Sequence, residues 1–413
     1  MLDQRGFRQA ASGGDFPPPG SHRGYPPVQL IEPWIVAIGC GACRFAHAET
    51  VRFDGPLTRL LGWPKAAAYQ AILRRFKRFD RARNEAVQES VYRWFFAPVS
   101  TRKRIPLDMD SALLTRPGEQ EGATRGDNPG RRGRPSPPPW RAFVAEARRV
   151  ARFWRRPGHA CTSHNVLAFI ESTLRPLDDK TVGLFRANSG FFDEAILSLL
   201  EGRKIDYLIR AKLTQRLQAS MVRDARGWAL ETGRELAEIT YQAQGGSTPR
   251  RIVGVRPSIK RKAAPGKTRS LLADDPDLSG GRDGARVTSL TLPDGEVWRS
   301  YRGRADGENR IKELKADFGL DSLALNSFWA TEAALGFAML AYPLIRLFRQ
   351  AVLRTQVQPT LAPLHGQVLA IGASGHRDAG NHTLILSLPR KRRAWFTGLW
   401  SNSEHPPVIP VAT

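Results

Sequence analysis

Apolar and polar positions alternate through Ile105-Pro106-Leu107-Asp108-Met109-Asp110, and this period of two predicts a strand with both aspartates on the face opposite its apolar residues. Thr181 to Ala187 predicts a second strand, ending at the turn-forming tripeptide Asn188-Ser189-Gly190. A helix over Phe192 to Glu201 and a strand over Tyr207 to Ala211 follow, with further short strands at Arg251 to Val255 and Val287 to Leu292. Elsewhere the spacing is helical. From Val28 to about Val99 the apolar positions recur in short runs; Ile72, Phe76 and Phe79 share a face while Arg74, Arg75, Lys77 and Arg78 point elsewhere. Trp140 to Arg156 reads as an amphipathic helix, with Phe143, Val144, Ala147, Val150 and Trp154 as its stripe and Arg148, Arg149, Arg152, Arg155 and Arg156 as a basic surface. Residues 298–318 and 329–354 are helical, the second bent at Pro343.

Residues 1–27, rich in Gly, Pro, Arg and Ser, carry no core pattern and are expected to be a disordered tail. Residues 119–139 are a polar loop, and 401–413 a second tail. The expected organisation is a helical region over 28–100, an α/β domain formed by 101–211 together with 298–400, and a β-rich insertion over 212–297.

Charge changes the picture most. Lys and Arg total 63 against 39 Asp and Glu in 413 residues, a formal net charge of +24. Such a balance favours a polyanionic partner, and nucleic acid is the common one. Three cysteines argue against a disulfide framework. The longest apolar run, Ala333 to Ile345, is flanked by Glu332 and Arg346 and falls short of the ~18 residues that span a bilayer. The expectation is a cytoplasmic, nucleoid-associated protein with no membrane partner.

The chemistry-bearing residues of the 298–318 helix are Tyr301, Arg304, Glu308 and Lys315, at offsets of 0, 3, 7 and 14, which keeps them on one narrow face. A carboxylate there can hold a divalent cation, while the guanidinium and ammonium can grip phosphate oxygens. An exposed helix laced with salt bridges would show the same spacing. DNA backbone contacts are assigned to the basic runs Arg131, Arg132 and Arg134, and Lys260, Arg261 and Lys262, and to Lys312; a solvated loop is the alternative for the runs. Cys40, Cys43 and His47 lack a second ligand pair at zinc-finger spacing, so a buried helix is preferred there.

The spacing Tyr-x2-Arg-x3-Glu-x6-Lys resembles the YREK signature of a group of DDE transposases. Tyr301 to Asp306, Glu308 to Lys315 and Phe328 to Ala334 are similar to the 1380 family of insertion sequences; so are Leu107-Asp108-Met109-Asp110-Ser111, Gly118 to Gly122 and Arg186-Ala187-Asn188-Ser189-Gly190-Phe191. This resemblance runs from about Tyr25 to about Trp400. It implies an α/β fold with a ribonuclease-H-like core, a mixed five-stranded sheet with flanking helices. It further implies a mainly β insertion domain and a helical N-terminal DNA-binding region. The implied activity is DNA cleavage and strand transfer at insertion-sequence terminal repeats, with terminal inverted repeats and target DNA as partners and a homodimer on paired ends. The implied cofactor is Mg²⁺ or Mn²⁺ in a two-metal site, with Asp110 and Glu308 as metal ligands and position 188 as the third catalytic position. Arg304 and Lys315 would hold the DNA backbone, and Tyr301 would pack near the cleaved end. Asp108 is the fallback ligand if the register slips by two.

The chain departs from the family pattern where it counts. Asn188 stands where the family has Asp, and an amide supplies an oxygen without negative charge. Ser111-Ala112, Asp127, Pro137-Pro138 and Pro343 are further departures. The expected consequence is impaired catalysis, or a copy that binds DNA ends without cutting.

Overall fold

The computed structural model describes residues 6–12, 16–22, 24–63, 65–97, 104–111, 121, 139–144, 149–156, 165–177, 180–224, 229–231, 234–243, 245–257, 284–323, 325–354, 359–378 and 381–404. Nine strands form one sheet in the order β3-β2-β1-β4-β5-β9-β8-β7-β6. They are β1 (Ile105–Asp110), β2 (Trp140–Val144), β3 (Arg149–Trp154), β4 (Val182–Ala187), β5 (Asp206–Arg210), β6 (Ala229–Glu231), β7 (Arg234–Tyr241), β8 (Arg250–Pro257) and β9 (Gly284–Thr288). The central strands β1, β4 and β5 run parallel, and every other pairing in the sheet is antiparallel. Parallel strands are covered on both faces, which is why Val182-Gly183-Leu184-Phe185 and Tyr207-Leu208-Ile209 read as near-continuous apolar runs.

Helices α1 (Phe7–Ser12), α2 (Pro27–Gly39), α3 (Ala48–Phe53), α4 (Gly55–Leu60), α5 (Tyr69–Phe76) and α6 (Arg81–Phe96) precede the sheet. Helices α7 (Val166–Leu174), α8 (Glu194–Gly202) and α9 (Gln215–Asp224) alternate with its strands. After β9 come α10 (Asp294–Arg302), α11 (Ala305–Ala316), α12 (Phe328–Phe348), the short α13 (Leu361–Leu364), a separate hairpin of β10 (Ala373–Asp378) and β11 (Asn381–Leu386), and α14 (Arg393–Glu404). The core is built on α12, which packs against α2, α5, α6 and β3. Its Phe337 meets the rings of Phe16, Phe76 and Phe79. The stretch Phe328–Leu353 is long and apolar enough to cross a membrane, and 83% of its most apolar window is buried inside the fold. The helix continues through Pro343.

Several expectations are corrected. The described part of the N-terminal stretch, 6–12, 16–22 and 24–27, is not a tail: Phe7, Ala11 and Phe16 are buried in the main core, and the guanidinium of Arg75 donates to the carbonyls of Pro17 and Tyr25. That also turns Arg75 inward, against the expectation that it points away from the core. Trp140 to Arg156 is the β2–β3 hairpin, not a helix. Both sides of β2 are buried, so no alternation marks it, and pairing with β1 overrides the helix-like spacing. Its arginines are interior: Arg141, Arg152, Arg155 and Arg156 are all buried, so the last three form no basic surface. The β-rich segment 212–297 continues the same sheet: β9 pairs with β5 and carries β8, β7 and β6 onto its edge. Residues 298–318 are two helices that meet at Gly303-Arg304. Lastly, the C-terminal helix extends to Glu404, into the expected tail.

Candidate active site

Parallel strands end together, and the loops that leave their carboxyl ends form the crevice where ligands bind in open α/β sheets. Met109 of β1 pairs with Ala187 of β4, so the residues that follow each of them, Asp110 and Asn188, emerge side by side. The Asn188 amide nitrogen lies 3.5 Å from Asp110 Oδ1. Asn188 Oδ1 accepts the Gly190 N–H at 3.0 Å and caps the short turn Ser189–Phe191. On the other side of β1, Asp110 pairs in register with Arg141 of β2, whose fully buried guanidinium stands 3.9 Å from Asp110 Oδ2.

The α10–α11 junction closes over this point. Arg304 donates from one nitrogen to Asp110 Oδ1 at 2.9 Å and to the Met109 carbonyl at 3.3 Å. The Tyr301 hydroxyl reaches the Ala187 carbonyl at 3.4 Å, and Arg286 of β9 stacks on its ring with 4.6 Å to the centroid. Lys315 sits half-buried near the same cluster. Desolvation lowers its pKa; the Arg141 charge pushes the same way, while Asp321 and Asp110 oppose it. Burial likewise lowers the pKa of Arg141, against the pull of Asp110 and Asp321.

Asp108 is already occupied. Arg186 of β4 grips it through Nε at 2.6 Å and Nη2 at 3.1 Å, and its remaining nitrogen donates to the Ser300 carbonyl of α10 at 2.6 Å. A Cβ at position 303 would come within 3.0 Å of that guanidinium, so glycine there lets α10 close onto β4. The bidentate pair removes Asp108 as a fallback ligand and ties the helix junction to the strand ends.

The structure therefore brings together Asp110, Asn188, Tyr301, Arg304 and Lys315. Glu308 lies on α11 four residues past Arg304, one helical turn along; its side chain is outside the described residues. Lys312 is exposed on the same helix. Arg131, Arg132, Arg134, Lys260, Arg261 and Lys262 also lie outside the described residues. Arg141, Arg186 and Asp321 are the participants that sequence reasoning missed. Arg186 sits inside the matched Arg186-to-Phe191 segment and was findable; Arg141 was hidden by the helical reading of its strand.

As donors for divalent cations, the described residues offer the Asp110 carboxylate and the Asn188 amide, with the Asp321 carboxylate close enough to act on Arg141 and Lys315. Asp110 Oδ1 is taken by Arg304 and Asn188 Oδ1 by a backbone N–H. No cluster of three or more His, Cys, Asp or Glu able to hold a metal exists among the described residues. By themselves these described donors supply too few anionic oxygens for a pair of metal ions, and Glu308, whose side chain is outside the described residues, would be the further carboxylate. Cys43 and His47 approach each other at 3.8 Å without further ligands among the described residues.

No curated protein sequence matches the chain. Among solved structures, the chain is similar to the piggyBac transposase in a cryo-EM synaptic complex with hairpin DNA, at 9% identity and a TM-score of 0.42, covering 82% of this chain and 69% of that one. The profile of the family described as transposase DDE domain group 1 matches residues 19–397. With nearly its whole length matched, the chain belongs to this transposase DDE domain family.

Proposed function

We propose that this protein is an insertion-sequence transposase of the YREK type that engages terminal inverted repeats, and that its metal-dependent cleavage and strand transfer are strongly impaired by Asn188. One observation carries the reading: at the carboxyl ends of two adjacent parallel strands, Asp110 faces an amide 3.5 Å away rather than a second carboxylate. The sheet order β3-β2-β1-β4-β5, with β2 antiparallel and β1, β4 and β5 parallel, supports a ribonuclease-H-like core. Four further strands, β6 to β9, intervene between β5 and the helix that carries Glu308, in keeping with an insertion at that point.

DDE transposases generally use divalent metals. A bound pair would supply Lewis-acid activation of the attacking and leaving oxygens. This chain retains Asp110 and Glu308 for that purpose and has lost one charge. Of its own cationic groups, Arg304 is turned inward onto Asp110, which leaves Lys315 and the exposed Lys312 of α11 to oppose backbone phosphates. Tyr301, held between Arg286 and the Ala187 carbonyl, packs the junction rather than reaching outward. Two protomers on paired ends complete the assembly.

A second reading, a copy that only binds DNA ends, draws on the Arg304–Asp110 contact, which satisfies the remaining carboxylate without any metal. Cleavage of a labelled terminal-repeat duplex in Mg²⁺, with EDTA as control, separates the two. The expected result is weak cleavage by the natural chain and at least a ~10-fold gain in Asn188→Asp, the scale by which metal-site residues alter activity. Equal, robust cleavage by both would overturn the impairment; none by either would favour the binding-only copy.

A further inference from the structure

Helix α14 and the turn before it form a surface that the Asp110 site does not use. The helix is seated through one face: Leu399 is buried with Ala351 and Val352, and Asn402 donates to the Val352 carbonyl at 2.9 Å. Trp395, one turn before Leu399, and Trp400 nevertheless stay 41% and 48% exposed. The turn Arg390–Arg392 leads directly into the helix, so Arg390, Lys391, Arg392 and Arg393 stand in a row, all four exposed.

These cations differ from several that are ion-paired on or beside other surface helices. Arg81, Arg83, Arg93 and Arg203 each face a carboxylate within 3.4 Å. None of the four in the row has an ion-pair partner among the described residues; Arg393 makes one weak contact, to the Leu388 carbonyl at 3.4 Å. Nor do they stabilise the helix, since cations are favourable in its last turn and these stand before or in its first. Four like charges without an ion-pair partner among the described residues, next to an exposed indole, are complementary to a polyanion with apolar sugar edges. The surface is also coupled to the candidate site. Its seat, Arg349–Leu353, is bonded through Arg349 to Glu313 at 2.7 Å, on the same helix α11 that borders Asp110.

We propose that the 390–393 row and Trp395 dock the sugar–phosphate backbone of duplex DNA. This rests on the reading of the chain as a DNA-acting transposase. The four cations neutralise phosphates, and the indole packs on deoxyribose beside them.

The test is equilibrium binding of the full chain to a fluorescent terminal-repeat duplex across a range of salt concentrations, in EDTA so that cleavage plays no part. Replacing all four cations with alanine is expected to weaken binding at least ~10-fold at 0.1 M salt and to reduce the salt slope by about 3 to 4, close to one per lost phosphate contact. Arg392→Ala alone is expected to reduce the slope by about 1, which keeps the test decisive if the quadruple variant fails to fold. Trp395→Ala is expected to weaken binding with the slope unchanged, because an indole releases no counterion. A charge-matched control changes Arg104, Arg175, Arg203 and Lys204, exposed cations ahead of β1, β4 and β5 at the opposite end of the parallel strands. The control is expected to keep most of the slope. Strong binding by the natural chain with no loss in the 390–393 variants, or equal loss in the control, would overturn this surface and leave the transposase reading standing. No binding by the natural chain would overturn both.

Discussion

Arginine meets carboxylate in both halves of the sheet, but to different ends. At the strand ends of β1 and β4, Arg186 closes on Asp108, and Arg304 on Asp110 two residues later. In the outer half, Arg250 of β8 grips Glu194 at 2.6 Å and Glu201 at 2.8 Å, both on α8, with the Tyr207 hydroxyl also donating to Glu201. A cleft of about 600 Å³ opens beside Arg250. By ion-pair density the outer cluster is the richer one. Its groups, however, are all spent on one another, and they join a helix to an antiparallel strand. Asp110 instead stands at the carboxyl end of a parallel strand, beside an amide, with a helix junction folded over it. Position in the topology, not abundance of charge, separates a candidate centre from a clamp.

The comparison breaks first at Asp108–Arg186. The pair is buried, so Arg186→Met would strand an uncompensated carboxylate and is expected to cost about 3 to 5 kcal/mol, read by urea unfolding. A loss below about 1 kcal/mol would mean the junction is held by something else.

Glu332 sharpens the contrast as a buried acid that accepts the Arg155 N–H at 2.7 Å. Desolvation pushes its pKa up to about 7, against that bond and the nearby Arg152 and Arg155 charges. The folded value lies above the ordinary one of 4.5, so the folded chain holds the proton more tightly. Stability is then full below about pH 4.5 and falls by about 3 kcal/mol as pH rises to about 7. Glu332→Gln is expected to flatten that decline in unfolding free energy; an unchanged slope would reject Glu332 as its source.

Arg250 should matter least. Its partners are partly exposed and solvent screens them, so Arg250→Met is expected to cost roughly 1 kcal/mol. Here the sign reverses. The Arg250 hydrogen bond holds the Glu194 carboxyl down to about 2, so this contribution is present above the ordinary value of 4.5 and is lost as pH falls toward 2. Unfolding midpoints between pH 5 and 3 should fall less in the variant than in the natural chain.

Much of the site was legible in the chain. The alternation at 105–110 and the turn at 188–190 mark strand ends, and motif order linked them to Tyr301, Arg304 and Lys315. What stayed hidden was long-range. The fully covered strand at Trp140 shows no period of two, and its arginines look like surface until β1 pairs beside them. Phe7 and Phe16 sit in a Gly- and Pro-rich stretch whose local composition cannot reveal that distant helices offer them a core, Trp94 of α6 meeting Phe7 and Phe337 of α12 meeting Phe16. The break at Gly303 depends on Arg186 arriving from 117 residues earlier in the sequence.

The central claim is that Asp110, position 188 and Glu308 converge on one cation site, now lacking one charge. Titration of Mn²⁺, followed by the loss of its free EPR signal, tests this most directly on the natural chain, Asn188→Asp, and Asn188→Asp combined with Glu308→Gln. The account predicts at least ~10-fold tighter Mn²⁺ binding in Asn188→Asp and loss of that gain when Glu308 is also changed. A gain that survives Glu308→Gln, or no gain at all, would contradict it.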